Sequence, residues 1–196
     1  MEERGEHQGG NRLALVLLAA GESRRFGGNK LLHELNGKPM YQYILEQIQG
    51  LPSDMIGQKL LVTQYEDIRK EAETRGFLTV ENKNSRLGIS HSLHLGLQAL
   101  DDRADAVMFA VCDQPWLRQA TIWKLITEWR QSGKGIACLG YQGEPGNPVI
   151  FSKRYYKELL ELTGDTGGKR VLCRHMDDVW LSEAEEQELK DMDTRE

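Results

Sequence analysis

The chain has 196 residues, 39% of them hydrophobic and 28% charged, with a formal net charge of −5. That length suits one domain with a sizeable core, and the acidic balance excludes the basic footprint of a non-specific nucleic-acid binder. Cys112, Cys138 and Cys173 are widely spaced and form no CxxC pair, so neither a zinc ribbon nor a disulfide framework is indicated, and a reduced, cytoplasmic protein fits them.

Residues 1–11 are polar and carry Gly5, Gly9 and Gly10, which reads as a disordered tail ahead of a single domain over 12–196. The run "LALVLLAA" from Leu13 is too short to span a bilayer, and the glutamates before it are wrong for a signal peptide. With "RLALVLL" it predicts a strand. "GKPMYQYILEQIQG" predicts a helix that Pro39 opens at its first turn. Further on, "QKLLVT" reads as strand, "YEDIRKEAETRG" as a helix stopped by Gly76, and "FLTVE" as strand. Ile89, Leu93, Gly96, Leu97 and Leu100 recur at helical spacing, and "DAVMFAV" follows as the nearly continuous apolar run of a covered parallel strand. Ile122, Leu125, Ile126 and Trp129 mark another helix. "KGIACLG" is another strand, and "NPVIFS", the helical "KRYYKELLEL", "GDTGGKRVLCRH" and a short "DVWL" complete the core. The alternation predicts an α/β domain, a Rossmann-like mostly parallel sheet with helices on both faces.

In such sheets ligands bind beyond the carboxyl ends of the strands, and two loops stand out by that rule. The first is "LLAAGESRRFGGNKLL", residues 17–32, where an acidic chain gathers Arg24, Arg25 and Lys30 right after a buried strand. Its glycines allow backbone N–H groups close to an anion, and its cations supply charge. It matches neither GxxxxGK[ST] nor GxGxxG, and spacing alone leaves a glycine-rich turn with solvated charges equally open. The second is "CDQP", where Asp113 stands at the mouth of the apolar strand as either a helix N-cap or a ligand for a hard cation. His91 and His94, at i,i+3, have no third ligand nearby and read as ordinary helix residues.

Six segments, "LAAGESRRFGGNKL" with "GKPM", "RLGISHSLHLGLQAL", "CDQP", "YQGEPGNPVIF", "LTGDTGGKRVL" and "DMDT", together resemble the MobA-like nucleotidyltransferases, and among them the molybdenum cofactor cytidylyltransferase branch. The likeness covers nearly the whole chain after residue 11. It implies the nucleotide-diphospho-sugar transferase fold and transfer of CMP from CTP, or a related nucleotide, to molybdopterin or molybdenum cofactor with release of pyrophosphate. Leu18, Ala19, Ala20 and Gly21, with Ser23, would hold base and ribose. Arg25 would grip the β- and γ-phosphates, and Lys30 would lie on the α-phosphate. Gly88, Ser90 and Ser92 would lie near the base.

Asp113 would bind Mg²⁺, with Asp193 as second ligand and Asp191 in reserve, although composition alone reads that acidic tail as frayed. Asn147 and Asp165 would face the acceptor, although Asn, Asp and Gly are also ordinary turn formers. Trp116 would either stack on a pterin or pack under the next helix. Ala20, in "LAAG" rather than "LAGG", places the chain with the cytidylyl group, and Cys112 stands where the family has glycine. The implied partner is a molybdenum hydroxylase such as xanthine dehydrogenase, in purine catabolism, with neither nucleic acid nor membrane involved. The competing readings are sugar-phosphate or guanylyl transfer and a non-catalytic carrier of molybdenum cofactor.

Overall fold

The computed structural model describes residues 12–22 and 28–192. The tail expected over 1–11, together with Ser23, Arg25 and Asp193, lies outside the described residues. The elements run β1 (Leu13–Ala19), a 3-10 turn Lys30–Leu32, β2 (Glu34–Leu35), β3 (Lys38–Pro39), α1 (Met40–Gln49), β4 (Gln58–Thr63), α2 (Glu66–Thr74) and β5 (Leu78–Glu81). A 3-10 turn Ser85–Leu87, α3 (Ile89–Gln98), β6 (Ala106–Val111), α4 (Gln119–Ser132), β7 (Ile136–Tyr141) and β8 (Glu144–Ser152) follow. The chain continues through α5 (Tyr156–Leu160), α6 (Lys169–Arg174), β9 (Val179–Glu183) and a 3-10 turn Glu186–Leu189.

Seven strands form one sheet in the order β5-β4-β1-β6-β8-β7-β9. β1 pairs parallel with β4 and β6, β4 with β5, and β7 with β9, while β8 runs antiparallel to both its neighbours. β1 is covered on both faces, as its unbroken apolar run requires. Leu13, Leu15 and Leu17 enter a core shared with Ile44 and Leu45 of α1 and with Ile122, Leu125 and Trp129 of α4. Val16 points the other way, among Leu93 and Leu97 of α3, Leu159 of α5 and Val171 of α6. The α/β, mostly parallel sheet with helices on both faces is therefore the architecture that the alternation predicts.

Two places depart from the sequence reading, both at hairpins. Asn36 and Gly37 have positive φ values of 53° and 77°, the type I′ geometry that joins two strands tightly. They pair Leu35 with Lys38, so Pro39 ends a strand and the helix starts one residue later, at Met40. Gln142 and Gly143 repeat the geometry at 51° and 83°. They set Tyr141 against Glu144, which brings Glu144, Pro145 and Gly146 into β8 instead of leaving them in a loop. No helix among the described residues is long and apolar enough to cross a membrane.

Candidate active site

The carboxyl ends of β1 and β6 border a cleft of ≈ 350 Å³. Of the residues singled out from sequence, Leu18, Ala20, Gly21, Lys30, Gly88, Ser92, Asp113 and Asp165 line it. They come from five separate stretches of chain. Register explains the first of these convergences, since Leu18 at the end of β1 lies opposite Val111 at the end of β6. Asp113 follows two residues on.

Lys30 is set by its neighbours. Asn29 caps the short turn by accepting the Leu31 amide at 3.0 Å, and the buried Leu31 side chain anchors it. Lys30 Nζ then reaches Asp113 Oδ2 at 2.5 Å, with the two side chains only 16% and 18% exposed. Asp113 Oδ1 is buried and accepts no hydrogen bond from the described residues. A buried carboxylate oxygen left unbonded costs free energy unless something else meets it. A hard cation is the group that an oxygen of this kind suits. Among the described residues no cluster of three or more Asp, Glu, His or Cys forms a metal site, so Asp113 is the fitting ligand that they offer.

The acidic tail is folded onto the same loop. Met192 N donates to the Asp113 carbonyl at 3.0 Å. The buried Gln114 amide donates to Leu189 O and to Asp191 Oδ1, both at 2.9 Å. Glu188, buried to 3% exposure, accepts the Arg118 amide and guanidinium at 3.0 Å and the Thr121 hydroxyl at 2.6 Å. Burial works to raise the Glu188 pKa, but those hydrogen bonds outweigh it and hold the carboxyl below its usual range. Asp191 thus sits beside Gln114, and Asp193 falls just past the described stretch.

On the opposite wall, Gly88 has φ +90°, and a Cβ there would lie 2.3 Å from the carbonyl carbon and oxygen of Gly164. That contact, with the Ser90 amide donating to Gly164 O at 3.2 Å, seats the Gly164–Asp165 loop beside the start of α3. Ser92 is fixed from behind by the Asn82 amide at 2.9 Å. Ala19 and Ser90 are buried and do not line the cleft, nor do Asn147 and Trp116, which are half-buried. Asn147 nonetheless lies at this end of the sheet, because β8 is antiparallel to β6 and Val149 pairs with Phe109.

Some residues that the sequence reading passed over also line the cleft. Glu22, Ser85 and Arg86 are among them, and the Arg86 Nε meets Glu22 Oε1 at 3.3 Å. Glu22 stood inside the quoted loop but drew no attention as an anion among cations. Cys112 lines the cleft as an inert neighbour: burial, and then the Asp113 carboxylate, push its thiol far above the ordinary thiol range. His94 Nε2 donates to Leu159 O, 3.1 Å away, which is a packing role.

Residues 15–179 match the model of the MobA-like NTP transferase domain. The chain belongs to that family. The MobA-like domain match includes Lys30, Asp113 and Asp165 but stops short of the docked tail. Among curated relatives, the bifunctional protein GlmU of Desulfotalea psychrophila is 28% identical over 140 residues, 70% of this chain and 41% of the relative. The molybdenum cofactor guanylyltransferase of Yersinia pestis (strain Pestoides F) is 29% identical over 137 residues, 69% of this chain and 65% of the relative. The matches thus span less than two thirds of these relatives.

Among solved structures, the Mycobacterium tuberculosis Rv0371c homologue from Mycobacterium sp. strain JC1 superposes with a TM-score of 0.76 at 25% identity, over 94% of this chain and 91% of that one. Rv0371C of M. tuberculosis H37Rv, solved as a manganese complex, shares the fold with a TM-score of 0.70 at 22% identity, over 88% of each chain. The MobA-like domain therefore has the nucleotide-diphospho-sugar transferase-like fold.

Proposed function

We propose that the chain is a nucleotidyltransferase that moves CMP from CTP onto the phosphate of a molybdopterin-type acceptor and releases pyrophosphate. The observation that carries the reading is the Lys30–Asp113 pair in the cleft, with Asp113 Oδ1 buried and accepting no hydrogen bond from the described residues. Asp113, with Asp193 as second ligand, would hold a divalent cation, Mg²⁺ in this proposal, and when bound the cation supplies Lewis-acid neutralisation of phosphate charge.

An ionised acceptor oxygen attacks the α-phosphorus in line and forms the new P–O bond. The bond from the α-phosphorus to the bridging oxygen breaks, and its electron pair leaves on pyrophosphate. The nucleophile is already deprotonated, so the work of the chain is orientation and charge neutralisation. Lys30 exchanges Asp113 for an α-phosphate oxygen and meets the negative charge there, as cations do in other phosphoryl transfers. Arg25 meets the β- and γ-phosphates. Leu18, Ala20 and Gly21 on one wall, and Gly88 and Ser92 on the other, hold base and ribose, with Ala19 and Ser90 buried behind them and Ser23 assigned to the same task by the resemblance alone. Asp165 and Asn147 face the acceptor. The dinucleotide product would serve a molybdenum hydroxylase of the xanthine dehydrogenase type.

A second reading, GMP transfer from GTP, is favoured by the 29% identity to the Yersinia pestis guanylyltransferase, whereas Ala20 favours CTP. The deciding test is pyrophosphate release with Mg²⁺ and molybdopterin acceptor, comparing CTP, GTP, ATP and UTP. A CTP preference that requires the acceptor is the expected result. A GTP preference selects the second reading, and release from none of the four removes nucleotidyl transfer in favour of a carrier.

A further inference from the structure

β4 ends on Thr63, and Gln64 and Tyr65 follow it before α2 begins. These three consecutive side chains engage three consecutive main-chain carbonyls of the segment leaving β1. The Thr63 hydroxyl donates to Ala19 O at 2.9 Å, the Gln64 amide to Ala20 O at 2.7 Å, and the Tyr65 phenol to Gly21 O at 2.8 Å. The three are also tied to one another. Thr63 Oγ1 accepts the Tyr65 amide at 3.1 Å, and the Gln64 amide donates to the Tyr65 phenolic oxygen at 3.3 Å. Burial, and then the Glu22 carboxylate, raise the Tyr65 pKa, so the phenol stays a donor well into alkaline solution.

An extended strand sends successive carbonyls to alternate sides. Three in a row met from Thr63, at the end of β4, and the two residues after it therefore mean that the chain leaves strand geometry after Ala19. In a trans peptide the N–H points opposite the carbonyl. The amides of Ala20, Gly21 and Glu22 are consequently turned away from β4. β1 lies between β4 and β6, so they turn toward the side where Val111, Cys112 and Asp113 line the cleft.

We propose that Thr63, Gln64 and Tyr65 are positioning residues, a brace that holds a row of backbone N–H donors facing the nucleotide in this cleft. The inference rests on the nucleotidyl-transfer reading. The brace touches no reacting atom and acts through the main chain of residues 19–22. The donors it presents are neutral and recognise acceptor atoms, which a nucleotide carries on its base and on its phosphates.

The test measures binding of CTP, GTP, cytidine and inorganic tripolyphosphate by calorimetry, with thermal unfolding and steady-state kinetics alongside. The proteins are wild type, Tyr65→Phe, Thr63→Val and Thr63→Ser. Tyr65→Phe and Thr63→Val keep shape and lose one donor each, and are expected to weaken binding of the preferred triphosphate about tenfold, with KM rising more than kcat falls. Thr63→Ser keeps the hydroxyl and is expected to restore binding to within about threefold of wild type. Weakened cytidine binding with tripolyphosphate unchanged assigns the donors to the base, and the reverse assigns them to the phosphates. A lowered Tm with all affinities unchanged overturns the brace, as does unchanged binding in Tyr65→Phe if Thr63→Val fails to fold. Wild-type protein that binds neither CTP nor GTP overturns the nucleotidyl-transfer reading itself.

Discussion

On one side of β6, the strands β1, β4 and β5 all run parallel with it, and each leaves its carboxyl end toward the cleft. From those ends come the Leu18–Glu22 segment, the Thr63–Tyr65 brace, the Ser85–Gly88 turn, and Asp113. On the other side, β8 runs antiparallel between β6 and β7, and only secondary contacts reach the cleft. Asp165 arrives because its loop packs on Gly88, and the tail reaches the Asp113–Gln114 loop beside the cleft because Glu188 is pinned on α4. Parallel strands concentrate loops by construction. A mixed half must add a specific contact for every segment that it delivers. The first arrangement is robust to single substitutions outside the loops, and the second depends on a few hydrogen bonds and one glycine.

The largest effects are expected where the parallel half carries charge. Asp113→Asn should lower pyrophosphate release about 10³-fold in saturating Mg²⁺, with Tm within about 2 °C of wild type. Activity near wild type would remove Asp113 from the chemistry. Lys30→Ala should cost about 10²-fold in kcat and weaken triphosphate binding less. A raised KM with kcat unchanged would make Lys30 a ground-state contact only.

The next two predictions probe the mixed half. Gly88→Ala asks for a β-carbon where φ is +90° and the Gly164 main chain is 2.3 Å away, so a loss of about 2 kcal/mol in stability is expected, read by urea unfolding. Gly21→Ala has nothing within 4 Å of its Cβ and should unfold like wild type. Equal stability of the two would break the claim that the Gly164–Asp165 loop is held by that contact.

Glu188→Gln should cost about 1–2 kcal/mol at pH 7, since the ionised carboxylate accepts from Arg118 and Thr121. The folded-state pKa of Glu188 lies below its ordinary value. Its contribution is therefore present above the unfolded pKa and fades as the pH falls through the depressed value. The Tm gap between wild type and Glu188→Gln should start to close as the pH drops below the ordinary glutamate pKa and should vanish once the pH is below the depressed folded value. A gap that persists into that range would assign the effect to packing.

The same division governs how much the sequence disclosed. The parallel strands were legible because full burial leaves unbroken apolar runs such as "VMFAV", and a carboxylate directly after one is conspicuous. Lys30 stood out as a cation in the loop after β1, Gly88 and Asp165 came by resemblance, and the fold brings all three to the cleft. The hairpin at Gln142–Gly143 was missed because glycine and proline in "GEPGNP" mark turns, while the strand tolerates both beside the register shift between Cys138 and Gly140. The brace was invisible for a different reason. Thr63, Gln64 and Tyr65 read as a strand end and a helix start, and nothing local announces partners 44 positions away. Gln114 and Leu189 are 75 apart, and the tail's composition argues for fraying. Long-range hydrogen bonds leave no periodicity to read.

The tie between the Met192 amide and the Asp113 carbonyl has a practical side. Whatever grips the segment from Glu186 to Met192, whether an antibody, a resin or a fused reporter, pulls on the main chain of Asp113 with no flexible spacer between. Immobilisation through that segment would report on a strained enzyme, whereas attachment on the exposed face of α2, where Lys70 is 67% exposed, leaves the cleft untouched.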